Sequence, residues 1–164
     1  MLDGELIPVD GVARYLGLHL DCKLNWHEHI QRKRKMLDLM RTNFKWLINH
    51  PNISLRNKIL VYKSIFRPAW SYGAEIWGTA ADSNITILER FQNKFLRATV
   101  QAPWYVTNKQ LHSELKVESV KEIIARRVDN YVARLHRHPN LEAIVLLDST
   151  GDTCRLRRKR IFDL

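Results

Sequence analysis

The sequence predicts a mainly α fold: a short N-terminal β-hairpin, then an array of five to six helices, then a basic tail. Three observations carry this reading. Apolar residues recur at three- and four-residue spacing through most of 25–147, as they do on helices that bury one face. Alternation with period two is confined to 1–24. From 148 onward the periodicity gives way to RLRRKR (Arg155–Arg160), a charge run with no apolar face, so 148–164 reads as a disordered tail. A chain of 164 residues is long enough to bury one real core.

In the opening segment, Glu5–Val9 and Val12–Leu20 flank Asp10-Gly11, a favoured hairpin-turn pair. Leu16, Leu18 and Leu20 alternate with Tyr15, Gly17 and His19, as on a half-buried strand. Asn25, with Glu28 three residues on, opens the first long helix in the manner of a capping box. Its apolar stripe is Trp26, Ile30, Leu37, Met40, Phe44 and Leu47. Lys33 takes a stripe position from which its stem can snorkel to solvent. His50-Pro51-Asn52 stops the helix. Ser54 caps a second helix (Leu55, Ile59, Tyr62, Phe66), which Pro68 kinks or ends; Ala69–Trp77 resumes it, interrupted at Gly73.

Asp82 or Ser83 caps a third helix with Ile85, Leu88, Phe91, Phe95 and Leu96 inward, ended by Ala102-Pro103. Thr107 with Gln110 and Ser119 with Glu122 are capping-box patterns for two more. The last stops at His138-Pro139-Asn140, and a short apolar turn, Leu141–Leu147, follows. The stretch from Arg67 to Tyr105 holds Trp70, Trp77 and Trp104 beside glycines, and reads as the packing centre of the core. Packing is also the expected role of the Trp104–Tyr105 pair, ahead of stacking on a nucleic-acid base.

Composition narrows the function. Lys and Arg number 27 against 17 acids, a formal charge of +10, which favours a polyanionic partner, nucleic acid before membrane. Cys22 and Cys154 stand in unrelated contexts, outside any CxxC or Cys/His cluster. They support neither a disulfide framework nor a zinc site, and fit a reducing intracellular compartment, nucleus or cytoplasm. No apolar run approaches the ~18 residues that span a bilayer, and MLDGELIPVD is no signal peptide.

Catalytic patterns are absent from the sequence. His27 and His29, like His136 and His138, are two apart, so each pair points to different helix faces, and no HExxH occurs. There is no GxSxG and no phosphate-binding GxxxxGK[ST] loop. No two aspartates are adjacent, whereas two-metal nucleotidyl transfer needs carboxylates held a few ångströms apart. What the sequence does offer is a basic first helix. Arg32, Lys33, Arg34, Lys35, Arg41 and Lys45 stand against a single Asp38, either as contacts for backbone phosphates or as an ordinary solvated face. The RLRRKR run is a weaker signal of the same kind, a nuclear-localisation patch or a nonspecific arm.

An ordered series of motifs adds a resemblance. It begins with Val12–Ile30 (VARYLGLHLDCKLNWHEHI) and passes through Tyr62-Lys63-Ser64-Ile65, Arg67–Gly73 and Ile76-Trp77-Gly78. It continues with Leu88–Lys94, Gln101–Val106 and His138-Pro139-Asn140. This series resembles the thumb and post-thumb region of reverse transcriptases of non-LTR retrotransposons, especially the jockey-like elements of insects. The resemblance covers residues 12–147.

It implies that Tyr15-Leu16-Gly17 lies at the palm–thumb junction, near the grip on the primer. It implies that the helices hold an RNA–DNA or RNA template–primer duplex, an A-form-like partner recognised by shape and phosphates. The family's catalytic aspartates lie in a Tyr-x-Asp-Asp motif upstream, which this sequence does not contain. The expectation is therefore a C-terminal fragment without the palm, inactive alone and with no cofactor of its own. Mg²⁺ would belong to the palm, and the polymerase core is a further partner. Two alternatives stand beside it: a helical protein-interaction module built on the Trp70–Trp77 segment, and a truncated transposon product without function.

Overall fold

The computed structural model describes residues 11–140. The fold is mainly helical behind one small antiparallel hairpin. Strands β1 (Val12–Tyr15) and β2 (Leu18–Asp21) pair with Val12 opposite Asp21 and Tyr15 opposite Leu18. Among the described residues the reversal falls at Leu16-Gly17, inside the strand expected over Val12–Leu20; the strand expected at Glu5–Val9 and its turn at Asp10 lie outside the described residues. Leu16 (φ 46°) and Gly17 (φ 79°) are both left-handed, as a two-residue hairpin turn of matching twist requires. Gly17 adopts this freely, and Leu16 is held there because the Tyr72 hydroxyl donates to its carbonyl at 3.1 Å. Of the three leucines expected to alternate inward, Leu18 is buried, Leu20 is partly buried and Leu16 is exposed.

Helix α1 (His27–Asn43) starts two residues later than the sequence predicts. Asp21, at the end of β2, replaces the expected Asn25–Glu28 box: its carboxylate accepts the amides of Lys23 (3.0 Å), Asn25 (2.9 Å) and Trp26 (2.9 Å). Trp26 is then left-handed (φ 61°) and caps nothing with its side chain. Its buried indole donates to Thr79 Oγ1 at 3.0 Å, which fixes the start of α1 against the far end of the core. A short helix α2 (Lys45–Ile48) follows.

Helix α3 (Leu55–Val61), capped by Ser54 as expected, does not stop at Pro68. It opens into a π-helical turn (Tyr62–Phe66) and runs on as α4 (Arg67–Ser71), with Pro68 in the first turn of α4. A wide turn shifts the hydrogen-bond ladder just where a residue without an N–H must be accommodated. Gly73 (φ 68°) then separates α4 from α5 (Ala74–Trp77). A Cβ on Gly73 would also lie 2.9 Å from Leu18 Cδ2, so the hairpin sits directly on this break.

Helix α6 (Asp82–Val100) starts from Ala81; Asp82 is its first residue and pairs with Lys121 (2.9 Å), and neither Asp82 nor Ser83 is the cap. Helices α7 (Asn108–Leu115) and α8 (Val120–Leu135) begin with the two reciprocal capping boxes expected at Thr107/Gln110 and Ser119/Glu122.

Helix α6 packs against α1, α3 and α8, and the core is aromatic. Tyr62, Phe66, Trp70, Trp77, Phe91 and Phe95 are each almost wholly buried, with Phe66 and Phe95 ring centres 4.7 Å apart. The packing centre expected around Trp70 and Trp77 is therefore present, but it does not extend to Trp104 and Tyr105. Trp104 is 91% exposed and Tyr105 68%. The reason is Arg97, whose guanidinium donates to the carbonyls of Pro103 (3.3 Å) and Val106 and to Asn108 Oδ1 (3.1 Å). With its backbone satisfied by one side chain, the loop holds its shape without burying its rings. Leu141–Leu147 and the 148–164 tail lie outside the described residues.

Candidate nucleic-acid interface

The six cations of the first helix divide according to the helical period. Lys33 and Arg34 flank buried Ile30 and Leu37, so both turn toward protein. Lys33 donates to the Ala69 carbonyl (2.9 Å), one of the unpaired carbonyls at the end of α4, and lies over the Tyr72 ring at 5.6 Å. Burial pushes its ammonium pKa down. Arg34 lies 4.9 Å over the ring of Phe91 and pairs with Asp38. Neither is presented to solvent as an open phosphate contact.

The others differ. Arg32 is exposed and pairs with Glu28 at 2.7 Å; that bond holds the Glu28 carboxyl below the usual carboxylate range. Lys35 is exposed and makes no hydrogen bond or ion pair among the described residues. Arg41 and Lys45 come together, with Asp38, Thr42, Asn49 and Ala98 of α6, around a cleft of about 270 Å³. The solvent side of α1 and α2 also carries exposed Leu39 and Trp46, so it is a mixed basic and apolar surface. Tyr15 and Leu16 project from the hairpin tip, and Gly17 completes its turn.

One basic surface was not singled out from the sequence. On α8, Arg126, Arg127, Asn130 and Arg134 follow at helical spacing and line a groove of about 490 Å³ with Arg67, Ser71 and Glu75. Arg127 donates to Glu75 (3.2 Å) and to Ser71 Oγ (3.0 Å). Arg67 and Arg126 share one carboxylate oxygen of Glu118, at 3.4 and 2.9 Å. The signal was legible: two adjacent arginines with a third two turns on, along one face.

The histidines serve packing. His29 is fully buried between Trp26 and Trp77, with ring centres 6.2 Å away on each side, and its Nδ1 accepts the amide of His19 at 3.3 Å. His27 Nδ1 meets Asn84 Oδ1 at 2.9 Å. His112 is fixed between Asn93 Oδ1 and the Val117 carbonyl, both at 2.8 Å, beside a cleft of about 700 Å³ lined by Glu89, Lys109, Lys116 and Glu122. With Glu118 also in the lining, that cleft sets three carboxylates against two lysines and is no basic surface. Among the described residues no three His, Cys, Asp or Glu side chains converge to hold a metal ion, and no helix is long and apolar enough to cross a membrane.

No family model and no solved structure matches the chain. Curated proteins do. A probable RNA-directed DNA polymerase from transposon X-element of Drosophila melanogaster is 36% identical over 159 residues. One from transposon BS of the same fly is 35% identical over 159 residues. Each alignment takes in 96% of this chain and 17% of the relative. The RNA-directed DNA polymerase from mobile element jockey is 34% identical over 140 residues, 85% of the chain and 15% of the relative. The chain thus spans less than one fifth of the length of the curated relatives it matches.

Proposed function

We propose, for a chain homologous to a segment of the RNA-directed DNA polymerases of jockey and related non-LTR retrotransposons, that this segment is thumb-like and grips a template–primer duplex by its phosphates. The observation that supports this reading best is the set of cations left on the solvent side of α1 and its C-terminal cleft: Arg32, Lys35, Arg41 and Lys45. From Arg32 to Arg41 is nine residues of α1, about 14 Å at ~1.5 Å per residue, and Lys45 opens α2 just past Phe44. Lys33 and Arg34 act indirectly, by joining α1 to α4 and α6. In this reading the chain supplies binding and alignment, and Mg²⁺-dependent nucleotidyl transfer belongs to a palm carrying the catalytic aspartates. The hairpin tip at Tyr15-Leu16-Gly17 faces that palm near the primer strand.

The test is a salt titration of an RNA–DNA hybrid against the full chain. Affinity should fall linearly on a log–log plot, by about 0.9 in slope for each phosphate contacted. The triple variant R32Q/K35Q/K45Q should lower the slope by up to about 2.7 while leaving the fold intact. Failure of the hybrid to bind even at low salt would refute the proposal. Changing Lys33 or Arg34 is no substitute, because loss of binding would then report on misfolding.

A second reading rests on a separate observation, the exposed Leu39, Trp46, Leu55 and Leu60. These give α1, α2 and α3 apolar surface suited to a protein partner, the polymerase core first among them. Tryptophan quenching of Trp46 on addition of the core would support it; unchanged quenching would not.

A further inference from the structure

We infer that the arginine groove between α4, α5 and α8 is a second phosphodiester-backbone site, separate from the surface of α1. The inference rests on the nucleic-acid reading above and deepens it. Four guanidinium groups, Arg67, Arg126, Arg127 and Arg134, line one open groove. Only two carboxylates meet them: Glu75, paired with Arg127, and Glu118, whose single oxygen serves both Arg67 and Arg126. Arg134 has no carboxylate partner among the described residues and lies 6.0 Å over the ring of Tyr131. The groove therefore carries two more positive than negative charges, and most of its guanidinium N–H donors are not committed to protein acceptors.

Geometry selects the class of ligand. From Arg126 to Arg134 is eight residues of helix, about 12 Å at ~1.5 Å per residue. That matches the rise of three to four nucleotides of one strand, at about 3.4 Å each. Guanidinium forks suit phosphate oxygens, which they engage through paired N–H donors. The lining side chains hold one aliphatic group, Ile123, and no aromatic ring, so the groove has neither an apolar anchor for a peptide nor a stacking platform for a base. A backbone needs neither.

The groove is also built, not incidental. Arg127 is held by Glu75 and Ser71 Oγ, so one edge is rigid, while Arg126 and Arg134 remain exposed on the other. Ser71 lies two residues after Ala69, whose carbonyl accepts Lys33 from α1. The two basic elements thus meet across the end of α4, and one duplex can be gripped on two sides of that joint.

The experiment uses the full chain, a labelled RNA–DNA hybrid and a polyglutamate peptide, with binding followed by fluorescence anisotropy across salt. The α8 variants are R126Q/R134Q and R134Q alone; the latter breaks no ion pair and guards against a folding defect in the former. R32Q/K35Q serves as the α1 comparison. The slope of log affinity against log salt should fall by about 1.8 in R126Q/R134Q and about 0.9 in R134Q, with thermal melting unchanged for R134Q. A hybrid that binds wild type, loses slope in R32Q/K35Q and keeps it in both α8 variants would overturn this inference and leave the α1 reading standing. No binding by wild type would overturn both. Polyglutamate that binds wild type as tightly as the hybrid and is lost in the α8 variants would reassign the groove to an acidic protein segment.

Discussion

Acidification from neutral pH should destabilise this protein in a window set by one buried ring. His29 is fully buried, its Nδ1 accepts the His19 amide, and its Nε2 has no partner among the described residues. An accepting Nδ1 puts the proton of the neutral ring on Nε2, which points into the Trp26–Trp77 packing. Burial first, then the charges of Lys33 and His19, lowers its pKa from 6.5 to about 4. Between those values the unfolded chain binds a proton that the native chain refuses. Stability therefore falls as pH drops through 6.5 and stops falling near 4.

The full difference is worth about 3 kcal/mol, at ~1.36 kcal/mol per pH unit. His19, also lowered by burial and by Arg32, adds in the same direction. Urea unfolding followed by tryptophan fluorescence, from about pH 7.5 to about pH 4.5, measures this directly. Stopping there keeps the exposed carboxylates, Glu28 and Glu122, largely out of the window, because both sit below their usual values. His29→Asn keeps an acceptor near the His19 amide and removes the titration. Its stability at neutral pH should drop by about 1–3 kcal/mol for the lost ring volume, but its pH dependence should be much flatter. A wild-type curve that is level across the window, or an H29N curve as steep as wild type, would refute the reasoning.

Two further substitutions test how the scaffold is held. Gly78→Ala places a Cβ 2.6 Å from Ile124 Cγ2 and 2.5 Å from the Ala74 carbonyl oxygen, so α5 and α8 must part. A loss of about 1–3 kcal/mol is expected, read as a fall of several degrees in Tm; an unchanged Tm would mean that this contact yields freely. Asp21→Ala removes the carboxylate that takes three amides at the start of α1 and should cost about 2 kcal/mol in urea melts, with early exchange of the Asn25 and Trp26 amides. Equal exchange protection in the variant would show that Asp21 does not organise that turn.

Local signals were legible where the interaction is local. Thr107–Gln110 and Ser119–Glu122 close within one turn, and both capping boxes are present as read. The stripe of α6 buries the residues its period indicates, and that of α8 does so at Val120, Ile124 and Val128 but leaves Tyr131 exposed and Leu135 only partly buried. The reading fails where a distant group decides. Asn25 looks like a cap, but Asp21 takes the amides just ahead of α1; Val12–Leu20 reads as one strand, but Tyr72, 56 residues from Leu16, stabilises a turn at Leu16-Gly17 inside it. Trp104 and Tyr105 look like core residues until Arg97 satisfies their loop. In the candidate site, composition shows six cations on one helix but not that Lys33 serves a carbonyl 36 residues away. The α8 arginines had the right spacing, yet they gain significance only when Arg67 of α4 joins them, and that pairing is tertiary.

The Ala69–Trp77 segment links these observations. Its Ala69 carbonyl accepts Lys33 of α1, its Ser71 hydroxyl accepts Arg127 of α8, and its Tyr72 hydroxyl donates to the hairpin tip at Leu16. The Tyr72 carbonyl in turn accepts the Trp77 indole at 2.9 Å, which closes the segment on itself. Three residues, Ala69, Ser71 and Tyr72, thus set the spacing between both basic surfaces and the hairpin. They stand just after the π turn and Pro68, at the end of α4, where Tyr72 turns extended and Gly73 left-handed before α5 begins. Cations on α1 and α8 are spent on this joint, which fixes the separation of the cations left exposed on the two surfaces. The aromatic packing beneath the joint therefore sets the geometry of both basic surfaces, while the exposed charge lies on either side of it.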